Sequence, residues 1–283
     1  KLLYIKDEST NPTGTHKDRM AWEVILQARR NNWTEISLIS SGGAAAAIQH
    51  LLNLYQLPIK LKVLVDQNIN RDIYEQLTAM GCEVFLHNLK KEVLYSEAIK
   101  DLTKNKSGVD ITYRTTMDSH NLIYYDWLSY EILNFNPDYC ILPFGTGDLF
   151  INILNTVERE VSNHDLQVKE RDRRFMGSIE HIRQCTFIGV RTVSSSSRMD
   201  KLFSAFLPTL IPYRQKLDRL KLTGAINKQS SIIELESDDH LEEALAIAKS
   251  SDIKTEPSGI AGLAFLLGNK NNIPSSSKVL IIN

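Results

Sequence analysis

The sequence predicts an α/β protein built on largely parallel sheets. Short β-branched runs alternate with longer stretches of helical periodicity along most of the 283 residues. A strand, a helix and a further strand in that order form a βαβ unit, whose two strands are parallel. In open sheets of this kind the ligand lies beyond the carboxyl ends of the strands. The residues that directly follow each predicted strand are therefore the first candidates for a site.

Apolar runs and turn residues define the individual elements. Apolar runs predict strands at 36–40, 61–65, 82–86, 138–142, 186–190, 232–235 and 278–282. Helical spacing predicts helices from Lys17, over 44–56, from 70 or 71 to a cap at Gly81, near 90–103, over 122–133 and near 239–250. The highly charged segment 156–181 breaks this alternation, and we interpret it as a surface excursion or linker.

The composition excludes several classes of protein. Lys plus Arg number 33 and Asp plus Glu number 34, a balance that argues against a nucleic-acid-binding face. No run of about 18 apolar residues predicts a membrane span, and the first residues do not resemble a signal peptide. Three scattered cysteines, Cys82, Cys140 and Cys185, indicate buried thiols in a reducing cytoplasm rather than disulfides or a metal site. We expect both chain ends to be trimmed, because the first residue is Lys1 and the last lies in an apolar run.

The first constellation of candidate site residues surrounds Lys17. The preceding Asn-Pro and Thr-Gly pairs predict a tight turn, after which a helix starts near Lys17. The positive end of a helix disfavours a cation, and it therefore favours the neutral amine that a nucleophilic lysine needs. From these residues alone, an exposed turn lysine remains the alternative.

Two glycine-containing segments each lie between a predicted strand and a predicted helix. They are Ser40-Ser41-Gly42-Gly43-Ala44 and Gly145-Thr146-Gly147-Asp148-Leu149. Small residues at a helix N-terminus let backbone amides approach an anion such as a phosphate. The second segment lacks the Gly-Lys-Ser/Thr of a P-loop and the third glycine of a dinucleotide fingerprint, which disfavours a nicotinamide oxidoreductase. A plain turn between strand and helix is the alternative for each segment.

Taken together, these segments resemble the fold type II pyridoxal-phosphate enzymes, which include threonine synthase, cysteine synthase, serine/threonine dehydratase and the tryptophan synthase β-subunit. The run from Asn11 to Arg19 (NPTGTHKDR) resembles the family segment N-P-T-G-[ST]-x-K-[DA]-R. Ser40–Gly43 resembles its S-S-G-N loop and Gly145–Asp148 its phosphate loop, while residues 255–264 resemble its late E-P-[SA]-[GS]-A-A segment. The matches follow family order and span nearly the whole chain.

The resemblance implies a cofactor, pyridoxal 5'-phosphate, and a role for each segment. Lys17 would form the Schiff base and, once released, would remove the α-proton of an amino-acid substrate. Gly145, Thr146, Gly147, Asp148 and Leu149 would surround the cofactor phosphate. Ser40, Ser41, Gly42, Gly43 and Ala44 would surround the substrate carboxylate, with Gly43 also facing the cofactor.

The resemblance also implies an architecture of two α/β domains with the cofactor in the cleft between them. We predict a small domain over 15–125 that carries Lys17 and the carboxylate loop. A large domain would take 1–14 and 126–283 and carry the phosphate loop. A cytoplasmic homodimer that binds neither nucleic acid nor membrane is expected.

The sequence departs from the family pattern at three places. Gly43 stands where the family has an asparagine that contacts the cofactor's ring oxygen, so one side-chain hydrogen bond is lost. Asp148 replaces a glycine found in many members, and we expect its carboxylate to point away from the phosphate. The stretch Asp148-Leu-Phe150 resembles threonine synthases. We expect the Ser or Thr that lies opposite the pyridine nitrogen to come after Asn283.

Further candidate residues are open to two interpretations each. Glu256 is either a residue near the cofactor ring or an acid at a helix start. His16 either tunes the pocket of Lys17 or is structural. Arg114, Arg191 and Arg198 are the candidate cations for a phosphorylated substrate.

The leading hypothesis is an active lyase or synthase that performs elimination or replacement on a β- or γ-substituted amino acid. Threonine synthase-like chemistry comes first, cysteine synthase-like replacement second and dehydration third. The alternative is a pyridoxal-phosphate-binding pseudoenzyme or regulatory protein on the same fold, which Gly43 favours.

Overall fold

The computed structural model describes residues 1–91, 93–112, 123–168, 172–204 and 210–283. The chain divides into two compact units. The larger unit contains Lys1–Ser9, Tyr125–Ser204 and Leu210–Asn283, and the smaller unit contains Thr10–Tyr124. Residues 10–14, which the sequence analysis placed in the large domain, belong to the smaller unit.

Strands and helices alternate along the chain, which confirms the predicted α/β class. In chain order the elements are β1 (Leu2–Lys6), α1 (Lys17–Arg30), β2 (Glu35–Ile39), α2 (Gly43–Leu54), β3 (Lys60–Asp66), α3 (Arg71–Met80), β4 (Glu83–His87), α4 (Ser96–Leu102), β5 (Val109–Asp110), α5 (Asp126–Asn134), β6 (Tyr139–Pro143), α6 (Asp148–Asp165), α7 (Ile179–Gln184), β7 (Thr186–Thr192), α8 (Ile211–Leu222), β8 (Ser231–Leu235), α9 (Leu241–Ser250), α10 (Ala261–Gly268) and β9 (Lys278–Ile282). A short 3-10 helix at Asp200–Leu202 precedes α8.

The smaller unit is built on a parallel sheet with the strand order β4-β3-β2-β5. The two central strands bury apolar side chains, among them Ile36 and Val63, which are fully inaccessible to solvent. Helices α1 and α2 pack against each other. The loop that starts at Ser40 leaves the carboxyl end of β2, where ligands of parallel sheets bind.

The larger unit is built on a second parallel sheet, with the order β1-β9-β6-β7-β8. Its core joins the central strands β6 and β9 to α9 and α10 through buried side chains such as Ile141, Ile281 and Leu263. The loop 145–149 follows β6 at the carboxyl end of this sheet. Each unit therefore carries one of the two glycine loops at the ligand-binding edge of its sheet.

Most predicted elements are confirmed to within a few residues. The helix predicted to start near Lys17 starts at that residue. The helix predicted to end at Gly81 ends there, with Gly81 in the left-handed conformation at φ 105°. The helix predicted near 90–103 is the shorter α4, Ser96–Leu102.

The interpretation of 156–181 as a surface excursion or linker was wrong. Helix α6 continues through the first part of this segment to Asp165, and α7 begins at Ile179, near the end of the segment. Glu160 is buried at 1% exposure. Arg159 donates to Asp126 of α5 over 2.9 Å. Arg159 and Glu160 have partners on the neighbouring helix α5, and a pattern within one segment does not reveal such partners.

These charged groups form a connected cluster between α5 and α6. The Tyr130 hydroxyl donates to Glu160 over 2.6 Å and accepts from Arg159 over 3.1 Å. The Arg174 guanidinium lies 4.6 Å from the centre of the Tyr130 ring and pairs with Asp172. Burial and the adjacent Glu160 carboxylate raise the pKa of Tyr130. The cluster fixes the position of α6, whose first turn carries the glycine loop.

In the described part of the chain, helices α7, α8 and α10 have no counterpart among the helices predicted from periodicity. Helix α10 (AGLAFLLG) is apolar on all sides, so a helical period cannot be recognised in it. Helix α8 carries charged residues around most of its circumference. Pro212 in its first turn is a signal that could have located its start.

The three cysteines are free and buried, as predicted. Burial raises the pKa of both Cys82 and Cys140 to about 12. In the described part of the chain, no helix combines the length and apolarity needed to cross a bilayer. Within the same residues, no group of three or more His, Cys, Asp or Glu side chains is placed to hold a metal ion.

The cluster between α5 and α6 generates a stability prediction. Arg159→Ala should lower the free energy of unfolding by about 3 kcal/mol, because it leaves the buried carboxylates of Asp126 and Glu160 short of a cation. The lower end of the range for buried pairs applies, since the Arg159 side chain is 33% exposed. Urea denaturation measures the difference.

Arg219→Ala is the matched control. Arg219 pairs with Glu158 over 2.9 Å, but its side chain is 48% exposed, so its loss should cost less than about 1 kcal/mol. Equal losses in the two variants would contradict the structural importance of the cluster.

Candidate active site

Lys17 is the first residue of α1, and a tight turn leads into it. The Gly14 amide donates to the Asn11 carbonyl over 2.8 Å and closes the turn that contains Pro12. The Lys17 amide donates to the hydroxyl of Thr15 over 2.9 Å. This hydrogen bond satisfies one of the amides that a helix start leaves without an intrahelical acceptor. The segment Asn11–Arg19 around Lys17, here called the lysine string, therefore determines where α1 begins.

Asp18 stabilises the same turn. Its carboxylate accepts hydrogen bonds from the Thr13 amide over 3.1 Å and from the Thr13 hydroxyl over 2.8 Å. An acid in the first turn also interacts favourably with the helix dipole. His16 occupies the N-cap position, and its side chain makes no capping hydrogen bond.

The loop after β2 is shaped by its own first residue. The Ser40 hydroxyl oxygen accepts from the Gly42 amide over 3.0 Å and from the Ala45 amide over 3.3 Å. Gly42 has φ 125°, and a Cβ atom there would lie 2.8 Å from Cγ2 of Ile73. The loop therefore requires glycine at this position. Ser41 is exposed.

Gly43 brings this loop to the lysine. A Cβ atom built on Gly43 would lie 3.7 Å from Cγ of Lys17 and 3.7 Å from Cγ2 of Thr15. These are ordinary van der Waals distances, so the backbone leaves space for a side chain at Gly43. The smaller unit thus places Lys17 beside the first turn of α2, although 26 positions separate the two residues in sequence.

In the larger unit, Gly147 allows the turn from β6 into α6. It is the N-cap of α6 and has the left-handed φ of 83°. A Cβ atom there would lie 2.6 Å from the rings of both Phe144 and Tyr213. These rings pack edge to face at 5.2 Å. The loop requires glycine here because both its backbone conformation and the aromatic wall exclude a side chain.

The other polar groups of this loop are engaged within the unit. The Thr146 hydroxyl donates to Oδ2 of Asp148 over 2.7 Å, and Asp148 is 7% exposed. The Tyr213 hydroxyl donates to the Thr146 carbonyl over 2.7 Å. The first-turn amides of the 18-residue α6 have no acceptor within the helix, and the positive end of its dipole favours an anion. The loop Gly145–Leu149 therefore suits a phosphate group.

The other candidate residues have partners at the surface or along the sheet. Arg191 lies directly opposite Glu234 on the neighbouring strand, with 3.9 Å between Nε and Oε1. Arg198 pairs with Glu242. Glu256 pairs with Lys201, and its backbone carbonyl accepts from the Gly259 and Ile260 amides in the turn that leads into α10, as expected for an acid at a helix start. Arg114 lies outside the described residues.

Asn283 ties the end of β9 to two other segments. Its side-chain amide donates to Asp7 and to the Lys254 carbonyl, each over 3.2 Å, and its carbonyl oxygen accepts from Thr255. These contacts place Asn283 in the framework of the larger unit. A partner for the pyridine nitrogen beyond this residue stays a prediction.

Two residues of the site were missed in the sequence. Thr15 lies inside the lysine string and was not singled out, although its hydroxyl accepts a hydrogen bond from the Lys17 amide. Tyr213 lies 67 positions from Thr146, in a helix that was not predicted, so no local pattern could connect it with the loop.

Both loops and the lysine suit the cofactor that the sequence resemblance implies. Lys17 is a half-buried residue at a helix start, and a lysine amine can bond an aldehyde carbon. A glycine turn at a helix N-terminus can hold a phosphate. The aromatic wall leaves no space for a side chain at Gly147, so this position has only its backbone to offer to an anion.

Three solved structures are similar to the chain in fold. O-ureido-L-serine synthase matches with a TM-score of 0.70 at 16% identity, covering 99% of this chain and 83% of that chain. The O-acetylserine-dependent cystathionine β-synthase from Helicobacter pylori matches with a TM-score of 0.70 at 16% identity, covering 99% and 85%. A hydrogen sulfide-producing enzyme from Fusobacterium nucleatum matches with a TM-score of 0.67 at 18% identity, covering 99% and 88%.

Comparison with curated proteins finds no match. The protein-family model described as "PALP: Pyridoxal-phosphate dependent enzyme" matches residues 1–283. This match spans the lysine string, both glycine loops and the two sheets that carry them. The chain therefore belongs to the family of pyridoxal-phosphate dependent enzymes, whose cofactor is pyridoxal 5'-phosphate.

Proposed function

We propose that this protein catalyses elimination or replacement on an amino acid that carries a leaving group at Cβ or Cγ. The observation that carries the proposal is the approach of Gly43 to within 3.7 Å of the Lys17 side chain, measured from the position of a Cβ on the glycine. It brings the side chain of Lys17 next to the N-terminus of α2 within one unit, and we take that helix start as the carboxylate site. An amino-acid substrate needs an amine near its α-carbon and hydrogen-bond donors near its carboxylate.

Lys17 is the proposed catalytic residue. When bound, pyridoxal phosphate supplies an electron sink for bonds broken at the substrate α-carbon. Lys17 holds the cofactor through its Nζ and, once free, takes the α-proton on that same atom. The turn before α1 orients the lysine, and Thr15 holds its backbone amide.

The two glycine loops are the proposed binding elements. Gly145, Thr146, Gly147, Asp148 and Leu149 hold the cofactor phosphate, chiefly through backbone amides. Ser41, Gly43 and Ala44 take the substrate carboxylate at the first turn of α2. Ser40 and Gly42 shape that turn, because the Ser40 hydroxyl oxygen accepts two loop amides and Gly42 has a conformation that side chains rarely adopt.

Two observations support different leaving-group positions. The names of two similar structures refer to substituted serines, which supports a leaving group at Cβ. The resemblance of Asp148-Leu-Phe150 to threonine synthases supports a phosphate at Cγ. Incubation with O-acetylserine and with O-phosphohomoserine, followed by assay of released acetate or phosphate, distinguishes the two. Release from neither, in a protein that binds the cofactor, would favour the pseudoenzyme.

We also propose that the protein is a homodimer, as the family resemblance implies. Light scattering on the purified protein measures the mass directly. A monomer that turns over substrate would contradict this part of the proposal and leave the chemistry intact.

Lys17→Ala should remove covalent cofactor attachment. Turnover should fall by more than about 10²-fold, the lower bound for a lost general base, with little change in stability. Borohydride reduction followed by peptide mass spectrometry locates the pyridoxyl group. Lys60→Ala, at an exposed position of the same unit, is the control and should retain the adduct at residue 17. A pyridoxyl group on another lysine of the wild-type protein would contradict the assignment.

Gly43→Asn should fold, because its Cβ would meet Lys17 and Thr15 at ordinary contact distances. The family resemblance implies a new hydrogen bond to the cofactor's ring oxygen, worth about 1 kcal/mol. Cofactor affinity should rise about fivefold, and any replacement activity should rise with it. Spectroscopic titration with pyridoxal phosphate measures the affinity.

Gly42→Asn makes the same chemical change one residue earlier and should destabilise the protein, because a Cβ there meets Ile73. If Gly43→Asn instead abolishes a robust wild-type activity, glycine at this position is a specificity feature and the pseudoenzyme alternative is wrong.

A further inference from the structure

Tyr213 holds the phosphate loop from the side of α8. Its hydroxyl donates to the Thr146 carbonyl over 2.7 Å, and the residue is 3% exposed. Its ring packs against Phe144 and against the space where a Gly147 side chain would lie. The hydroxyl and the ring therefore act on two consecutive residues of the loop.

This hydrogen bond determines the direction of a loop amide. The peptide bond between Thr146 and Gly147 is planar, and its C=O and N–H point in opposite directions. Because Tyr213 holds the Thr146 oxygen on the α8 side, the Gly147 N–H must point away from Tyr213. A carbonyl oxygen turned toward a bound phosphate would repel it, and an N–H group attracts it. One side chain thus selects which edge of this peptide faces the anion.

A second contact holds the side chain of Thr146. Its hydroxyl donates its single proton to Asp148, so that proton is not directed at a phosphate while the contact is made. The loop then depends on its backbone amides to recognise the anion. The direction of the Thr146–Gly147 peptide therefore determines whether this part of the loop presents an amide or a carbonyl to the anion.

We propose that Tyr213 is a positioning residue that gives this protein its preference for a phosphorylated cofactor. The inference rests on the proposed function, in which Gly145–Leu149 bind the cofactor phosphate. In this proposal Tyr213 acts through the Thr146–Gly147 peptide, whose carbonyl it holds. Its hydroxyl therefore contributes to binding of pyridoxal phosphate and contributes nothing to binding of pyridoxal, which lacks the phosphate.

The experiment compares the two ligands in the full chain. Tyr213→Phe keeps the ring that covers Gly147 and removes the hydroxyl alone. Tyr139→Phe is the matched control, because the Tyr139 hydroxyl contacts Gln229 over 3.4 Å at the surface of the same unit. Dissociation constants for pyridoxal phosphate and for pyridoxal are measured on the wild-type protein and both variants. Unchanged pyridoxal binding shows that a variant is folded.

The expected result is about tenfold weaker binding of pyridoxal phosphate by Tyr213→Phe, the effect of one lost buried hydrogen bond, with pyridoxal affinity unchanged. Tyr139→Phe should retain the wild-type ratio of the two affinities. If Tyr213→Phe keeps the full preference for the phosphorylated ligand, the positioning role is wrong and the phosphate loop stands. If the wild-type protein shows no such preference, the proposed phosphate loop fails and this inference fails with it.

Discussion

Two glycines without space for a side chain set the geometry on which the two candidate binding loops depend, one loop in each unit. At Gly42 and Gly147 the chain turns from the carboxyl end of a parallel strand directly into a helix, with φ values of 125° and 83°. Any Cβ at these positions would overlap a side chain packed from another element. Each turn brings the first-turn amides of a helix to the ligand-binding edge of its sheet. The proposed function uses these amides to bind a carboxylate at α2 and a phosphate at α6.

Single side-chain oxygens hold these turns in place. Ser40 does so from within its own loop, because its hydroxyl oxygen accepts hydrogen bonds from two backbone amides of the same segment. Tyr213 does so from a distant helix, by donating to the carbonyl of Thr146. The first arrangement is local and depends on neighbouring residues. The second depends on how α8 packs on the sheet, so the phosphate loop is coupled to the fold of the larger unit.

Polar contacts with the start of α5 hold α6 in position, both near the loop Gly145–Leu149 and further along the helix. The Asn152 side chain accepts a hydrogen bond from the Tyr125 amide and donates one to Asp126. Arg159, two turns further along α6, also donates to Asp126. A helix anchored in this way presents its N-terminus in a constant direction. Pre-organised amides lose little entropy when an anion binds, which suits the phosphate-binding role proposed for this helix start.

The sequence by itself determined the fold class, most element positions and the start of α1 at Lys17. These features are encoded locally, in apolar periodicity and in a turn that runs into a helix start. It also located both glycine loops, because small residues between a strand and a helix are a local signal. It misjudged 156–181, since Arg159 and Glu160 have their partners on α5 and Glu158 has its partners on α8. Only the tertiary structure showed that Gly43 lies against Lys17 with space for a side chain, and that Tyr213 holds Thr146. Both contacts join residues far apart in the chain, and packing decides such contacts because no pattern within either segment specifies its partner.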